Sequence, residues 1–336
     1  MTIRLILALI LAFLVSTVFG KYYIPWLRKQ KAEQQILEIG PNWHMSKQGT
    51  PTMGGAMFIA AVAFVCLTVG FERMLRRDWG HIVMFLFALI FGIIGFLDDW
   101  EKLKKKQNLG LTAKQKFALQ LVAAVIFIFF LRRMGYCQPH LYIPFWNVTV
   151  NMPEWLYYIF AVFVIVGTVN SVNLTDGIDG LAASTSIPVC LFFVAVAFLS
   201  HQYLSLGIFA SALLGGLLGF LVYNWNPAKV FMGDTGSLFL GGAIAAMAFA
   251  YDMPLILILI GIMFIIETMS DILQVGYFKL THGKRIFKMA PFHHHLEMGG
   301  FAGHKWKEKE LVALYVCITV LMCILAFIGV FGRYAI

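Results

Sequence analysis

Charge is scarce along this chain. Only 13% of its 336 residues are Asp, Glu, Lys or Arg, whereas 60% are hydrophobic. Apolar surface therefore far exceeds what one soluble core could cover. That shortage excludes an ordinary water-soluble domain and makes lipid the solvent, and a mean hydropathy of +0.80 agrees. Cysteine is sparse as well. The five residues Cys66, Cys137, Cys190, Cys317 and Cys323 show no C-x-x-C spacing, and all but Cys137 fall inside apolar runs. They imply neither a disulfide framework nor a thiolate metal site. The pattern G-x-x-x-x-G-K-[ST] does not occur, which argues against an ATP-driven pump. No soluble domain, long linker, low-complexity tract or inverted repeat of the transporter kind is visible, so residues 1–336 read as a single membrane domain.

What is abundant is long apolar runs. They begin near Ile3, Met53, His81, Lys116, Trp155, Leu181, Tyr203, Ser237, Pro254 and Leu311. A bilayer core takes roughly 20 apolar residues per spanning helix, so about ten helices would use about 200 residues, close to the apolar content here. The expected fold is all-α and polytopic, with about ten transmembrane helices. The first run carries Arg4 near its start, but Ser16 to Gly20 offers no convincing small-x-small cleavage site. It is read as a retained helix.

Orientation follows from the basic residues, which are held on the cytoplasmic side during insertion. Most of the 26 Lys and Arg lie in alternate connections. Lys21, Arg28, Lys29, Lys31 and Lys47 follow the first run, and Lys102, Lys104, Lys105, Lys106, Lys114 and Lys116 follow the third. Lys229 stands alone, and Lys279, Lys284, Arg285, Lys288, Lys305, Lys307 and Lys309 follow the ninth. The opposite side holds only Arg4, Arg73, Arg76, Arg77, Arg132, Arg133 and Arg333. Both termini are therefore expected outside. The net charge of +9 is mostly a cytoplasmic-face charge, suited to topology and anionic lipid headgroups and requiring no nucleic acid.

Chemistry-bearing residues collect on that same face. Asp98 and Asp99 stand together near a helix end, where the macrodipole disfavours anions. They either pair with Lys102 and its neighbours or hold a divalent cation or a proton. Asn170, Asn173, Asp176 and Asp179 recur every three residues. The first two, and the third with them, share a helix face that should meet a wet cavity; the alternative, a solvated Asx-capped turn, does not call for two asparagines in the preceding apolar helix. In Phe231-Met232-Gly233-Asp234-Thr235-Gly236-Ser237, glycines at a helix start suggest an anion site, with Asp234 beside it as cation ligand or simply as N-cap. Glu267, Ser270, Asp271 and Gln274 lie at helical spacing in an apolar run, where carboxylates are costly unless functional or bonded to a neighbouring helix. His293, His294 and His295 follow a basic stretch and suit a metal, a phosphate or plain solvent. Lys47-Gln48-Gly49-Thr50-Pro51-Thr52-Met53-Gly54-Gly55 is a basic, glycine-rich helix entry.

Together these groups make a phosphoryl-transfer site at a membrane surface. Gly49 to Gly55, Leu97-Asp98-Asp99, Asn173 to Gly180, Phe231 to Ser237 and Ala290 to His295, in that order, resemble the polyprenyl-phosphate N-acetylhexosamine-1-phosphate transferases over nearly the whole chain. Lys288-Met289-Ala290-Pro291 leading into three histidines is similar to their MurNAc-pentapeptide branch. The resemblance implies ten helices, often a homodimer, in the bacterial cytoplasmic membrane with the active site facing the cytoplasm. It implies transfer of phospho-MurNAc-pentapeptide from UDP-MurNAc-pentapeptide to undecaprenyl phosphate with Mg²⁺, giving lipid I and UMP for peptidoglycan.

Carried onto this chain, the resemblance makes Asp234 the Mg²⁺ ligand with Asp98 and Asp99 nearby, and adds His294 to the catalytic group. Asp98 becomes the base for the lipid phosphate, although a phosphate monoester with a second pKa near about 6 scarcely needs one. Asn173, Asp176, Ile178, Asp179, Asn224, Phe231 and Gln274 would line a uridine pocket, with Phe231 stacked on uracil. Lys47, Thr52, Lys114, His293 and His294 would meet phosphate or sugar, with Asn170 and His295 among the substrate contacts. Two rivals exist. A UDP-GlcNAc enzyme of the same superfamily would keep the carboxylates but not the histidine context. A transporter would explain Glu267 and Asp271 but would place polar groups near the midplane and on both faces.

Overall fold

The computed structural model describes residues 2–30, 47, 49–105, 107, 109–199 and 201–334. Lys31, Gln48 and Lys106 lie outside the described residues. In lipid every backbone N–H and C=O must be satisfied within its own segment, so each apolar run becomes helix. In chain order these are α1 (Thr2–Lys29), α2 (Ala56–Thr68), α3 (Phe71–Leu75), α4 (Gly80–Lys105), α5 (Ala113–Arg133), α6 (Glu154–Thr175) and α7 (Leu181–Leu199). There follow α8 (Leu204–Asn224), α9 (Gly233–Ala250), α10 (Leu257–Ile260), α11 (Ile262–Leu280), α12 (Phe292–Glu297) and α13 (Glu308–Tyr334). Between α5 and α6 lies an antiparallel hairpin, β1 (His140–Ile143) and β2 (Val148–Asn151), with His140 opposite Asn151.

The chain is thus all-α and polytopic. Among the described residues eight helices, namely α1, α4 to α9 and α13, are long and apolar enough to cross a bilayer. Pro254–Ile260 and Ile262–Leu280, set at 83° to each other, together pass the same test and form either a broken ninth span or a re-entrant loop. The bend falls at Gly261, whose φ of −100° and ψ of 11° leave the helical well. The run near Met53 gives only the 13-residue α2. Its entry segment spends its hydrogen bonds elsewhere: Phe231 N–H donates to Pro51 O at 2.8 Å, and Gly54 and Gly55 N–H donate to Phe231 O and Met232 O at 2.8 and 2.9 Å. Two of the glycine-rich motifs therefore pair with each other.

Burial orders the bundle around α9, 89% of whose apolar window is enclosed, whereas α1, at 28%, turns most of its surface to lipid. α4 packs along α9, and α1 along α8. The α4–α9 approach is close because Gly95 lacks a side chain, and a Cβ there would stand 2.0 Å from Asp234 O. A smaller apolar cluster joins Ile178, Leu181, Met263, Leu311, Val312 and Tyr315. At the end of the bundle away from the carboxylates, the arginines are matched by acids. Arg132 pairs with Glu154 at 2.7 Å, Arg333 with Asp252 at 2.8 Å, and Arg73 donates to Asp78 at 2.9 Å.

Candidate active site

The α4–α9 contact assembles the acidic centre. Asp98 and Asp99 lie two turns before the end of α4 and are both buried, and Asp234 opens α9. One oxygen from each of the three lies within 4.8 Å of the others. Asp99 caps α9. Its Oδ2 accepts from Thr235 N–H at 2.9 Å and Thr235 Oγ1 at 2.7 Å, and its Oδ1 accepts from Asp234 N–H at 3.2 Å. The anion expected at this helix start is therefore Asp99 itself, and those amides are not open to phosphate. The same contact answers how α4 tolerates two adjacent acids, since the positive end of the α9 dipole offsets Asp99. Gly233 makes room for this. Its φ is +72°, and a side chain has no space there, because a Cβ would stand 2.7 Å from Asp99 Oδ2 and 2.8 Å from Thr52 Oγ1.

Lysines balance the remaining charge. Lys102 Nζ lies 2.6 Å from Asp98 Oδ2, 2.8 Å from Asp234 Oδ2 and 3.9 Å from Asp99 Oδ1. Lys116 Nζ reaches the same Asp234 oxygen at 3.0 Å. Asp98 Oδ1 accepts from Leu111 N–H at 2.9 Å. Asn173 Nδ2 donates to Asp234 Oδ1 and to Ser237 Oγ, both at 2.7 Å, and so fixes the carboxylate plane. Three convergent carboxylates are a hard oxygen donor set of the kind Mg²⁺ takes, so Asp98, Asp99 and Asp234 suit that ion chemically. Lys102 shares the Asp98 and Asp234 oxygens with any such ion. Pairing with Lys102 and a cation-binding centre are thus two readings of one cluster.

The asparagine and aspartate stripe divides. Asn173 faces the acidic centre, whereas Asn170 turns to Gln120 on α5, donating at 2.7 Å. The Asn170 side lines a cavity of about 460 Å³ with Lys114, Lys116, Phe117 and Gln120. Asp176 caps α6. Burial, reinforced by Asp234, Asp99 and Asp179, holds its carboxyl well above the usual carboxylate range. Asp179 belongs to a second cluster. Its Oδ1 pairs with Lys47 at 2.8 Å, and its Oδ2 accepts from Ala228 N–H at 2.9 Å and Asn226 Nδ2 at 3.2 Å. Glu308, opening α13, pairs with Lys47 at 2.6 Å and accepts from Asn226 at 2.9 Å. Asn224 is buried, accepting from Gly180 N–H at 3.1 Å and donating to Val230 O at 2.9 Å. Ile178 is buried in the small apolar cluster, and Phe231, partly buried, has its backbone in the paired loops.

The remaining predicted residues stand farther along α11 and α12. Gln274 latches the basic connection, donating to Phe287 O at 3.1 Å and accepting from Ile286 and Phe287 N–H at 3.1 and 3.0 Å. His293 Nδ1 lies 3.0 Å from Glu267 Oε2, and His294 Nδ1 lies 2.7 Å from Glu297 Oε2. His295 Nδ1 accepts from Lys288 N–H at 3.1 Å, and burial, then Lys288, pulls its basicity down. Sequence reasoning passed over Lys116 as a site residue, and over Asn226, Glu308 and Tyr315 altogether. Only Glu308 left a signal, as an acid at a helix start.

The family model described as glycosyl transferase family 4 matches residues 81–252, which hold the acidic centre. The phospho-N-acetylmuramoyl-pentapeptide-transferase of Clostridium acetobutylicum is 44% identical over 97% of this chain and 98% of its own length. That of Clostridium botulinum is 46% identical over 96% and 95%, and that of Halalkalibacterium halodurans 44% identical over 96% of each. With this likeness along nearly its full length, the chain belongs to glycosyl transferase family 4, within the group of the phospho-N-acetylmuramoyl-pentapeptide-transferases.

Proposed function

We propose that this chain transfers phospho-MurNAc-pentapeptide from UDP-MurNAc-pentapeptide to undecaprenyl phosphate, yielding lipid I and UMP in peptidoglycan synthesis. The observation that carries this reading is the convergence of Asp98, Asp99 and Asp234 with Lys102 and Lys116 where apolar helices end in a basic face. Asp98, Asp99 and Asp234 would hold Mg²⁺, which when bound neutralises charge on the donor's pyrophosphate. Lys116 and Lys102 place ammonium groups where the leaving phosphate gains charge. Asn173 holds Asp234 in one orientation, and Asp99 holds the first turn of α9, so neither reorganises during reaction. Asp98 is the candidate acceptor for the lipid phosphate's proton, a minor role for a group already largely ionised at neutral pH.

The two substrates come from different phases. The cavity lined by Lys114, Lys116, Phe117, Gln120 and Asn170 suits a phosphate with an apolar tail entering sideways from the bilayer. The donor would occupy the side of Asn173, Asp176, Ile178, Asp179, Asn224 and Phe231, with Lys47, Thr52, His293 and His294 toward phosphate and sugar. Gln274 and His295 would act there by holding the basic connection closed. The basic residues support a site facing the cytoplasm, and with α2 taken as a short tenth span they put both termini outside the bacterial cytoplasmic membrane. A homodimer belongs to the same reading through the family resemblance.

The deciding experiment is UMP release by purified protein given UDP-MurNAc-pentapeptide, undecaprenyl phosphate and Mg²⁺. Asp234→Ala, a no-lipid arm and UDP-GlcNAc in place of the donor serve as controls. Release that needs the lipid, the pentapeptide donor, Mg²⁺ and Asp234 is expected. Folded protein that releases none would overturn the reading, and equal use of UDP-GlcNAc would move the chain to the other branch.

A further inference from the structure

Glu267 is a fully buried acid on α11 that neither the acidic centre nor the Lys47 cluster uses. Three donors converge on it. His293 N–H reaches its Oε1 at 3.2 Å, His293 Nδ1 reaches Oε2 at 3.0 Å, and the Tyr315 hydroxyl also donates to Oε1. Helices α11, α12 and α13 therefore meet at one carboxylate. With Nδ1–H committed to Glu267, the other ring nitrogen is left to meet something else. His293 Nε2 is buried and has no hydrogen-bond partner, and buried polar atoms in folded proteins normally have one. It lies against Gly177, where a Cβ would stand 2.2 Å away. Gly177 sits between Asp176 and Asp179 in the connection from α6 to α7.

We propose that Glu267, with Tyr315 behind it and Gly177 in front, is a positioning unit for His293. It fixes the imidazole tautomer and aims Nε2 at polar groups of the nucleotide-sugar donor. The apolar cluster of Ile178, Leu181, Met263, Leu311 and Val312 surrounds Tyr315 and stiffens the arrangement. A carboxylate bonded to one imidazole nitrogen while the other faces a ligand is a recurrent way to orient histidine. Gly177 has no left-handed backbone requirement, so the constraint on its side chain is the histidine ring alone.

The inference rests on the transferase reading and is tested with the full chain by donor-dependent UMP release. Glu267→Ala, Glu267→Gln, Tyr315→Phe and Gly177→Ala are compared singly and in a His293→Ala background. Glu267→Ala and Gly177→Ala should each lower kcat/KM for the donor by about 10-fold or more. The lipid KM should not change. Glu267→Gln should lose less than Glu267→Ala, because its carbonyl oxygen still accepts from Nδ1–H and its amide can donate to the Tyr315 oxygen, although the His293 N–H loses its acceptor. In the His293→Ala background none should cost more than about twofold further, as expected of residues acting through one partner. Full additive losses there would overturn the proposal while wild-type release kept the transferase reading intact. Absence of wild-type release would remove that reading instead. If Glu267→Ala fails to fold, Tyr315→Phe, which removes one hydroxyl, carries the same comparison, with melting temperature recorded for each variant.

Discussion

Asp99 joins two tasks in one side chain, holding the start of α9 and completing a set of three acids. Removing it as Asp99→Ala strands one buried and one part-buried amide and the Thr235 hydroxyl. Each unmade bond of this kind costs about 1–3 kcal/mol. Asp98→Ala frees only one backbone donor, Leu111 N–H, so thermal melts in detergent should place Asp99→Ala clearly below Asp98→Ala, and the reverse order would refute the capping role. The lysines separate similarly. Lys116→Met should lower UMP release by about 10-fold or more, as loss of a charge beside the reacting phosphate does. Lys114→Met, on the exposed rim, should cost less than Lys116→Met. Asp176 adds a pH dependence. An unfolded aspartate titrates near about 3.9, and the folded carboxyl titrates well above that, so the folded state binds the extra proton and loses stability as pH rises through that window. The wild-type melting temperature should therefore fall more than that of Asp176→Asn as pH rises above the ordinary aspartate range, and parallel curves would refute the shift. Carboxylates in apolar runs stood out in the sequence because lipid makes them costly. Lys116 did not, because it sits two positions from Lys114 and only the position of α9 decides which of them faces Asp234.

Elements were legible where lipid dictates them and obscure where one element's backbone serves another. The apolar runs near Ile3, His81, Lys116, Trp155, Leu181, Tyr203, Ser237 and Leu311 all became long helices, since length and composition suffice there. The shortness of α2 arises from hydrogen bonds to Phe231 and Met232, partners more than a hundred residues away that periodicity cannot reveal. The break at Gly261 and the β1–β2 hairpin likewise depend on tertiary neighbours, the hairpin being held where His140 meets Asp252 at 2.7 Å. Close packing makes the α4–α9 pair testable. A Cβ at Gly95 would press on the backbone of Asp234 at 2.0 Å, whereas one at Gly92 would meet the Phe239 side chain at 3.2 Å. Overpacking of this kind costs about 1–3 kcal/mol. Gly95→Ala should lower both the melting temperature and kcat, because it shifts Asp98 and Asp99 relative to Asp234. Gly92→Ala should be milder in both, and equal effects would mean that the α4–α9 distance does not set the site.

For the whole molecule, the unequal distribution of charge is the argument for which way it faces. The end holding the acidic centre also carries the long basic connection after α11. At the other end arginines are matched by Asp78, Glu154 and Asp252, which suits a surface where excess positive charge is not retained. Two exposed positions report the two ends: Trp146 in the hairpin turn, 77% exposed, and Lys284 in the connection between α11 and α12. The exposed Cys317 is first replaced by Ser to silence background. Trp146→Cys should then react with a membrane-impermeant maleimide in right-side-out vesicles, and Lys284→Cys only in inside-out vesicles. The opposite pattern would place Asp98, Asp99 and Asp234 outside, where no cytoplasmic nucleotide-sugar could reach them, and the transferase reading would fall with the topology.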